Sequence, residues 1–447
     1  MGVRRAVVLL VVIAGCGSSK APQAPTPRAT AVPTPVPELT AAHTCGRAIC
    51  STLKVPLDRS RQGGETLSLK VAVEGAADKP VFVLLSGGPG EPGIPFIERA
   101  RKWLGPVAKQ VRIVAFDQRG TGTDALECPE LQKQMGASDL SQPTEGAVTT
   151  CARTLGDRRA FFTTKDTADD LEALRVALGA ERLTLDGISY GTYVAQRYAL
   201  AYPRRASALV LDSVVPSDGV SLLSETSIKA TRRVLGPEIT AALAKVVAQE
   251  GNGPELLDML TALSVGKPRD DGYLTAIRQA ADGDDASLRR WLTGVGKVVH
   301  GYTAAQLSQG LHASTLCADW PAPWGDASAP LKSREEAVRE AAGELTDAEL
   351  YPFDRETATS NGFVLQCRYW PPVAAPKPAG ARALPDVPTL LLNGDRDLST
   401  PYEWAEQALT HAPGGRLMIV KGAGHDVQDQ GDAKALAAVR RLVASPG

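Results

Sequence analysis

The stretch Leu183-Thr184-Leu185-Asp186-Gly187-Ile188-Ser189-Tyr190-Gly191-Thr192-Tyr193 constrains this chain more than any other. A short apolar run breaks into Gly-x-Ser-x-Gly, and the helix-compatible residues Tyr193-Val194-Ala195-Gln196-Arg197-Tyr198 continue from it. The order reads as strand, sharp turn, helix. Such a reversal crowds the backbone, and Gly187 and Gly191 remove Cβ atoms that would collide in it. The serine between them is held with its hydroxyl above a sheet edge, where a nucleophile belongs. A chain with 42 glycines in 447 residues also produces Gly-x-Ser-x-Gly in ordinary loops, so the flanking strand and helix carry the reading.

A serine nucleophile needs a base, an acid to orient the base, and donors for the oxyanion. Two strand-like runs late in the chain end in suitable groups. Thr389-Leu390-Leu391-Leu392-Asn393 leads into a loop holding Asp395 and Asp397, and Arg416-Leu417-Met418-Ile419-Val420 leads into Lys421-Gly422-Ala423-Gly424-His425. His425 is expected to take the proton of Ser189, with Asp397 orienting the ring; Asp395 competes for the acid role, and Asp397 is preferred. Upstream, Pro80-Val81-Phe82-Val83-Leu84-Leu85 reads as a buried central strand delivering the chain into Ser86-Gly87-Gly88-Pro89-Gly90. Glycines there let backbone N–H groups approach a developing oxyanion. Each piece alone is commonplace; their order along the chain is not.

The remaining pattern is that of an α/β chain with a mostly parallel, doubly wound sheet. Lys54–Leu57 and Glu65–Val73 alternate as an edge hairpin, and Val111–Phe116 reads as a buried strand ending in Asp117-Gln118-Arg119-Gly120-Thr121-Gly122. Asp117 and Arg119 are expected to order that loop rather than to catalyse. Asp166–Leu178 has helical spacing with Thr163-Thr164 as caps, and Ala208–Asp212 is the strand after the elbow helix. From 216 to 384 the alternation stops. Candidate helices at Ile228–Leu235, Glu238–Glu250, Asp270–Ala281, Ser287–Val298 and Ser333–Leu345 suggest a helical cap inserted into a core of residues 41–215 and 385–447.

Residues 1–16 read as a signal peptide closing on Val12-Ile13-Ala14-Gly15-Cys16, which resembles a lipobox with Cys16 as the lipidated residue. Residues 17–40 are Ser, Ala, Thr and Pro with little to bury, an extended linker. A lipid at Cys16 is the only membrane contact expected. A net charge of −1 without a basic block excludes nucleic acid as a partner. Six further cysteines behind an export signal suggest three disulfides, and proximity favours Cys45 with Cys50, Cys128 with Cys151, and Cys317 with Cys367. The last pair flanks what reads as the longest irregular stretch of the cap. With no Cys-x-x-Cys and no cluster of histidines, neither a metal nor a cofactor is expected. Oligomeric state is not legible.

The glycine loop at Ser86–Gly90, Asp117–Gly122, Gly187–Gly191, Gly394–Pro401 and Gly422–His425 together resemble the proline iminopeptidase and tripeptidyl aminopeptidase family of exported α/β-hydrolases. Cys317-Ala318-Asp319-Trp320 and Cys367-Arg368-Tyr369-Trp370 resemble its tripeptidyl aminopeptidase branch. Ser86 stands where many relatives have histidine, and Asp124 where a serine often follows. The resemblance implies oxyanion donors from Gly88, with Gly87 as its alternate, and Tyr190. It also implies a peptide or small acyl substrate, and an aminopeptidase releasing one to three residues. An esterase, lactonase or amidase on the same machinery is the alternative, and a non-catalytic surface lipoprotein is an alternative of another class. An exopeptidase needs a partly desolvated carboxylate for the substrate ammonium. Asp319 is the first candidate, pinned by Cys317 and shielded by Trp320, and Glu225 the second.

Overall fold

The computed structural model describes Gly2 and residues 36–265, 271–374 and 380–445. Cys16 and most of the segment before the first strand lie outside these residues. Nine strands form one sheet: β1 (Leu39–Cys45), β2 (Ala48–Pro56), β3 (Thr66–Glu74), β4 (Val81–Leu85), β5 (Arg112–Phe116), β6 (Leu183–Ile188), β7 (Ala206–Asp212), β8 (Thr389–Gly394) and β9 (Gly415–Val420). Their spatial order is β1-β2-β3-β5-β4-β6-β7-β8-β9. The first three pair antiparallel, as does β3 with β5, and every pairing from β5 through β9 is parallel. β1 starts inside the expected linker because Leu39 pairs with Leu53 and packs on the core.

Strands β4, β6, β7 and β8 are buried at every position, as parallel strands covered on both faces must be. The period of two divides their side chains cleanly. Val81, Val83 and Leu85 join the elbow helix and the cap in one apolar cluster, whereas Phe82 and Leu84 join Trp103, Ala435 and Val439 on the opposite face. The terminal helix Ala433–Ala444 therefore shields the second face, together with Ile97–Leu104. That second helix was not expected. It makes the crossover that the parallel β4 and β5 require, but with eight residues it shows barely two helical turns of pattern.

The helix before the elbow strand spans Thr164–Ala177 and opens on a reciprocal capping box between Thr163 and Asp166. Between β7 and β8 the chain is helical, and the two helices expected from residue 228 are both present within Glu225–Glu250, separated at Gly236, whose φ of 73° and ψ of 169° are not helical, ahead of Pro237. Helices Gly253–Ser264, Gln309–Asp319 and Gly362–Tyr369 were not anticipated. The stretch between Cys317 and Cys367 is also more regular than its composition suggests. Beyond the expected helix, found at Leu331–Glu344, short helices restart at Thr346, Asp354 and Asn361, each capped by that residue's side chain. All three cysteine pairs bond as proximity suggested, and Cys317–Cys367 staples Gln309–Asp319 to Gly362–Tyr369. No described helix is long and apolar enough to cross a membrane.

Candidate active site

Ser189 sits between the end of β6 and the helix Tyr190–Ala201 with φ 55° and ψ −125°. A non-glycine residue there carries about 1–3 kcal/mol of backbone strain, which the surroundings must hold. Its N–H donates to the Asp212 carbonyl at 2.9 Å, and its carbonyl accepts from the Thr192 amide at 2.9 Å and hydroxyl at 2.6 Å. The flanking glycines are obligatory. A Cβ on Gly191 would lie 2.1 Å from the Leu85 carbonyl oxygen, and one on Gly187 would lie 2.4 Å from that of Gly191.

His425 follows β9, and its Nδ1 stands 3.0 Å from Asp397 Oδ2. Asp397 is completely buried. Its Oδ1 accepts from the amides of Ser399 and Thr400, both at 2.9 Å, and its Oδ2 accepts from the Thr400 hydroxyl at 2.7 Å. The carboxylate accepts the Nδ1 proton, and Nε2 is left to act as a base. Burial lowers the His425 pKa, but the charge and hydrogen bond of Asp397, with Asp426 and Asp212 behind, outweigh it and raise the value to about 9. Asp395 is engaged with other groups: its Oδ1 accepts from Gly422 N–H at 2.6 Å and its carbonyl from Arg233.

One residue that sequence reasoning missed joins the serine to the histidine loop. Asp212 receives Ser189 N–H on its carbonyl, while its carboxylate accepts from Val427 at 2.9 Å and Gln428 at 2.8 Å. Burial raises the pKa of Asp212, and that of Asp426 rises through burial and the nearby Asp212. A second missed residue comes from the cap. The Ser264 carbonyl accepts His425 N–H at 2.9 Å, and its hydroxyl accepts Leu398 N–H at 3.0 Å.

Of the two oxyanion-loop glycines, Gly87 faces the serine: a Cβ placed on it would lie 3.2 Å from Ser189 Cβ. Gly88, at φ +99°, instead turns the loop upon itself. Tyr190 contributes the first amide of the elbow helix, and its buried hydroxyl bonds to Thr164 Oγ1 at 2.7 Å. Ser86 ties the loop down. Its hydroxyl donates to the Glu91 carbonyl at 2.7 Å and accepts from Gln118 at 3.2 Å.

Arg119 is fully buried and holds both oxygens of Asp170, each at 2.7 Å, while Asp117 accepts from Ile94 N–H at 3.0 Å. Both order the fold, as expected. Asp319 lies near Tyr190 and Tyr193 of the elbow helix. Its Oδ2 accepts Thr164 N–H at 2.6 Å at the start of Thr164–Ala177, and burial raises its pKa to about 6. Glu225 lies in the first turn of its helix with Oε2 buried and without a hydrogen-bond partner among the described residues.

Comparison with known proteins adds two family matches. A model described as alpha/beta hydrolase fold matches residues 80–238, and one described as TAP-like protein matches residues 351–446. The chain is similar to serine protease Hip1 of Mycobacterium tuberculosis, 26% identical over 445 residues, covering 87% of this chain and 83% of that one. It is similar to the tripeptidyl aminopeptidase of Streptomyces lividans, 25% identical over 433 residues, covering 84% and 77%. A shorter match is to the probable proline iminopeptidase of Streptomyces coelicolor, 34% identical over 132 residues, covering 30% of this chain and 32% of that protein.

Proposed function

The chain is an α/β-hydrolase, and from that premise we propose that it is a serine peptidase acting at the N-termini of peptides, with Ser189, His425 and Asp397 as its triad. The observation that carries this reading is the pairing of His425 Nδ1 with a buried Asp397 on the sheet edge where Ser189 stands. His425 Nε2 takes the hydroxyl proton as Oγ attacks the carbonyl carbon. The amides of Gly87, Gly88 and Tyr190 are the candidate donors to the tetrahedral oxyanion. His425 then protonates the departing amine, and a water it activates releases the acyl group from Ser189. The names of the relatives support a peptide substrate and the release of one to three residues. The N-terminal segment and three disulfides support export, with a lipid on Cys16 as anchor.

The test is a fluorophosphonate probe followed by a panel of aminoacyl, tripeptidyl and simple ester substrates. Wild type labels at Ser189, and Ser189→Ala loses labelling and turnover by several orders of magnitude while keeping its melting temperature. Turnover of esters alone would replace the peptidase with an esterase. Absence of labelling would leave a binding protein.

A further inference from the structure

Glu91 is outside the candidate triad; its backbone closes the oxyanion loop, and its carboxylate lies where the Gly87 N–H attracts it. A Cβ on Gly87 would have Ser189 Cβ at 3.2 Å and Glu91 Oε2 at 3.5 Å, so nucleophile and carboxylate flank one glycine. The position is built. Glu91 N–H reaches the Gly87 carbonyl at 3.4 Å, and the Glu91 carbonyl accepts the Ser86 hydroxyl. The side chain is half-buried. Arg99 and His425 attract the carboxylate electrostatically, but the guanidinium of Arg99 donates its hydrogen bonds to Asp426 and Asp429 and lies over the Phe96 ring.

We propose that Glu91 accepts the α-ammonium of the substrate residue that acylates Ser189, making it the residue that demands a free N-terminus. This rests on the peptidase reading above and refines it. The α-nitrogen of an aminoacyl group is two bonds from the carbon under attack, so it falls beside the serine, where Glu91 stands. In a tripeptidyl group the ammonium lies two residues farther out, about 7 Å away along an extended chain. The geometry therefore favours release of single residues. Charge gives the arrangement its selectivity. A carboxylate near the oxyanion opposes the negative charge that develops there, and the substrate ammonium neutralises it. A blocked substrate both lacks the attraction and suffers the repulsion.

The experiment compares kcat/KM for an aminoacyl 4-nitroanilide, its N-acetyl form and a tripeptidyl 4-nitroanilide. Wild type favours the free aminoacyl form. Glu91→Gln lowers its kcat/KM about 10- to 100-fold, the loss expected for a desolvated charge pair, and raises that of the acetylated form, so the preference collapses. Glu91→Asp falls between the two. Fluorophosphonate labelling of each variant verifies a folded site. The proposal is overturned if Glu91→Gln depresses both forms alike, or if the preference survives it and is lost in Glu225→Gln. Equal cleavage of free and acetylated anilides by wild type overturns it while leaving the peptidase reading intact. Ester turnover without anilide turnover overturns that reading instead, and this one with it.

Discussion

The Ser264 carbonyl accepts the His425 amide proton at 2.9 Å, so a residue at the C-terminal end of a cap helix fixes the backbone of the candidate base. Its hydroxyl reaches the neighbouring loop at Leu398, immediately after Asp397. The cap is thus bonded to both loops that carry the acid and the histidine.

Removing only the hydroxyl tests this link. Ser264→Ala keeps the carbonyl but orphans the buried Leu398 amide, at a cost of about 1–3 kcal/mol. A lower melting temperature and a several-fold drop in kcat, with KM nearly constant, are expected. An unchanged kcat would show that the loops hold their places without the cap.

The two acids of the β8 loop separate cleanly. In Asp397→Asn the amides of Ser399 and Thr400 claim the one remaining oxygen, so the NH2 faces His425 Nδ1, enforces the wrong tautomer and should reduce kcat by about 10⁴-fold. Asp395→Asn, whose carboxylate serves only Gly422 N–H, should stay within a few-fold of wild type. Steady-state kinetics of the two variants decide the matter, and equal losses would leave the acid unassigned.

The pH profile follows from the histidine. His425 must be neutral to accept a proton, and a free-enzyme pKa of about 9 means that it is mostly protonated at neutral pH. The kcat/KM should therefore climb with increasing pH and level off above about 9. Asp397→Asn removes the largest stabiliser of the imidazolium, so the residual activity should reach half-maximum at lower pH. A wild-type midpoint near the ordinary histidine value would contradict the electrostatic picture.

Arg119 predicts a stability effect rather than a kinetic one. Arg119→Met leaves Asp170 buried with only Arg59 to answer it, a loss of about 3–5 kcal/mol. Thermal unfolding should show it, and whatever protein remains folded should label with a fluorophosphonate normally.

What could be read from the residues alone was whatever local order encodes. Mostly apolar runs announced β4, β6, β7 and β8, because strands covered on both faces present few positions to water. The elbow was legible through two glycines, and Asp397 and His425 through their places after strands. Asp212, Ser264 and Glu91 were not, because their significance lies in partners far along the chain: Asp212 with Val427, Ser264 with His425, Glu91 with Ser189 through Gly87. For Asp319 the residues showed only its neighbours Cys317 and Trp320, and its bond from Thr164 N–H comes from tertiary structure. Short helices such as Ile97–Leu104 escaped because one or two turns give too little period to distinguish from a loop.

The pairing of β7 with β8 spans the whole cap, joining Asp212 to Leu392, and β9 joins only after β8 is in place. A chain emerging from the ribosome therefore displays its serine long before its histidine exists. A chain truncated before Thr389 would keep the elbow sequence yet lack both Asp397 and His425, the residues proposed to act on the Ser189 hydroxyl.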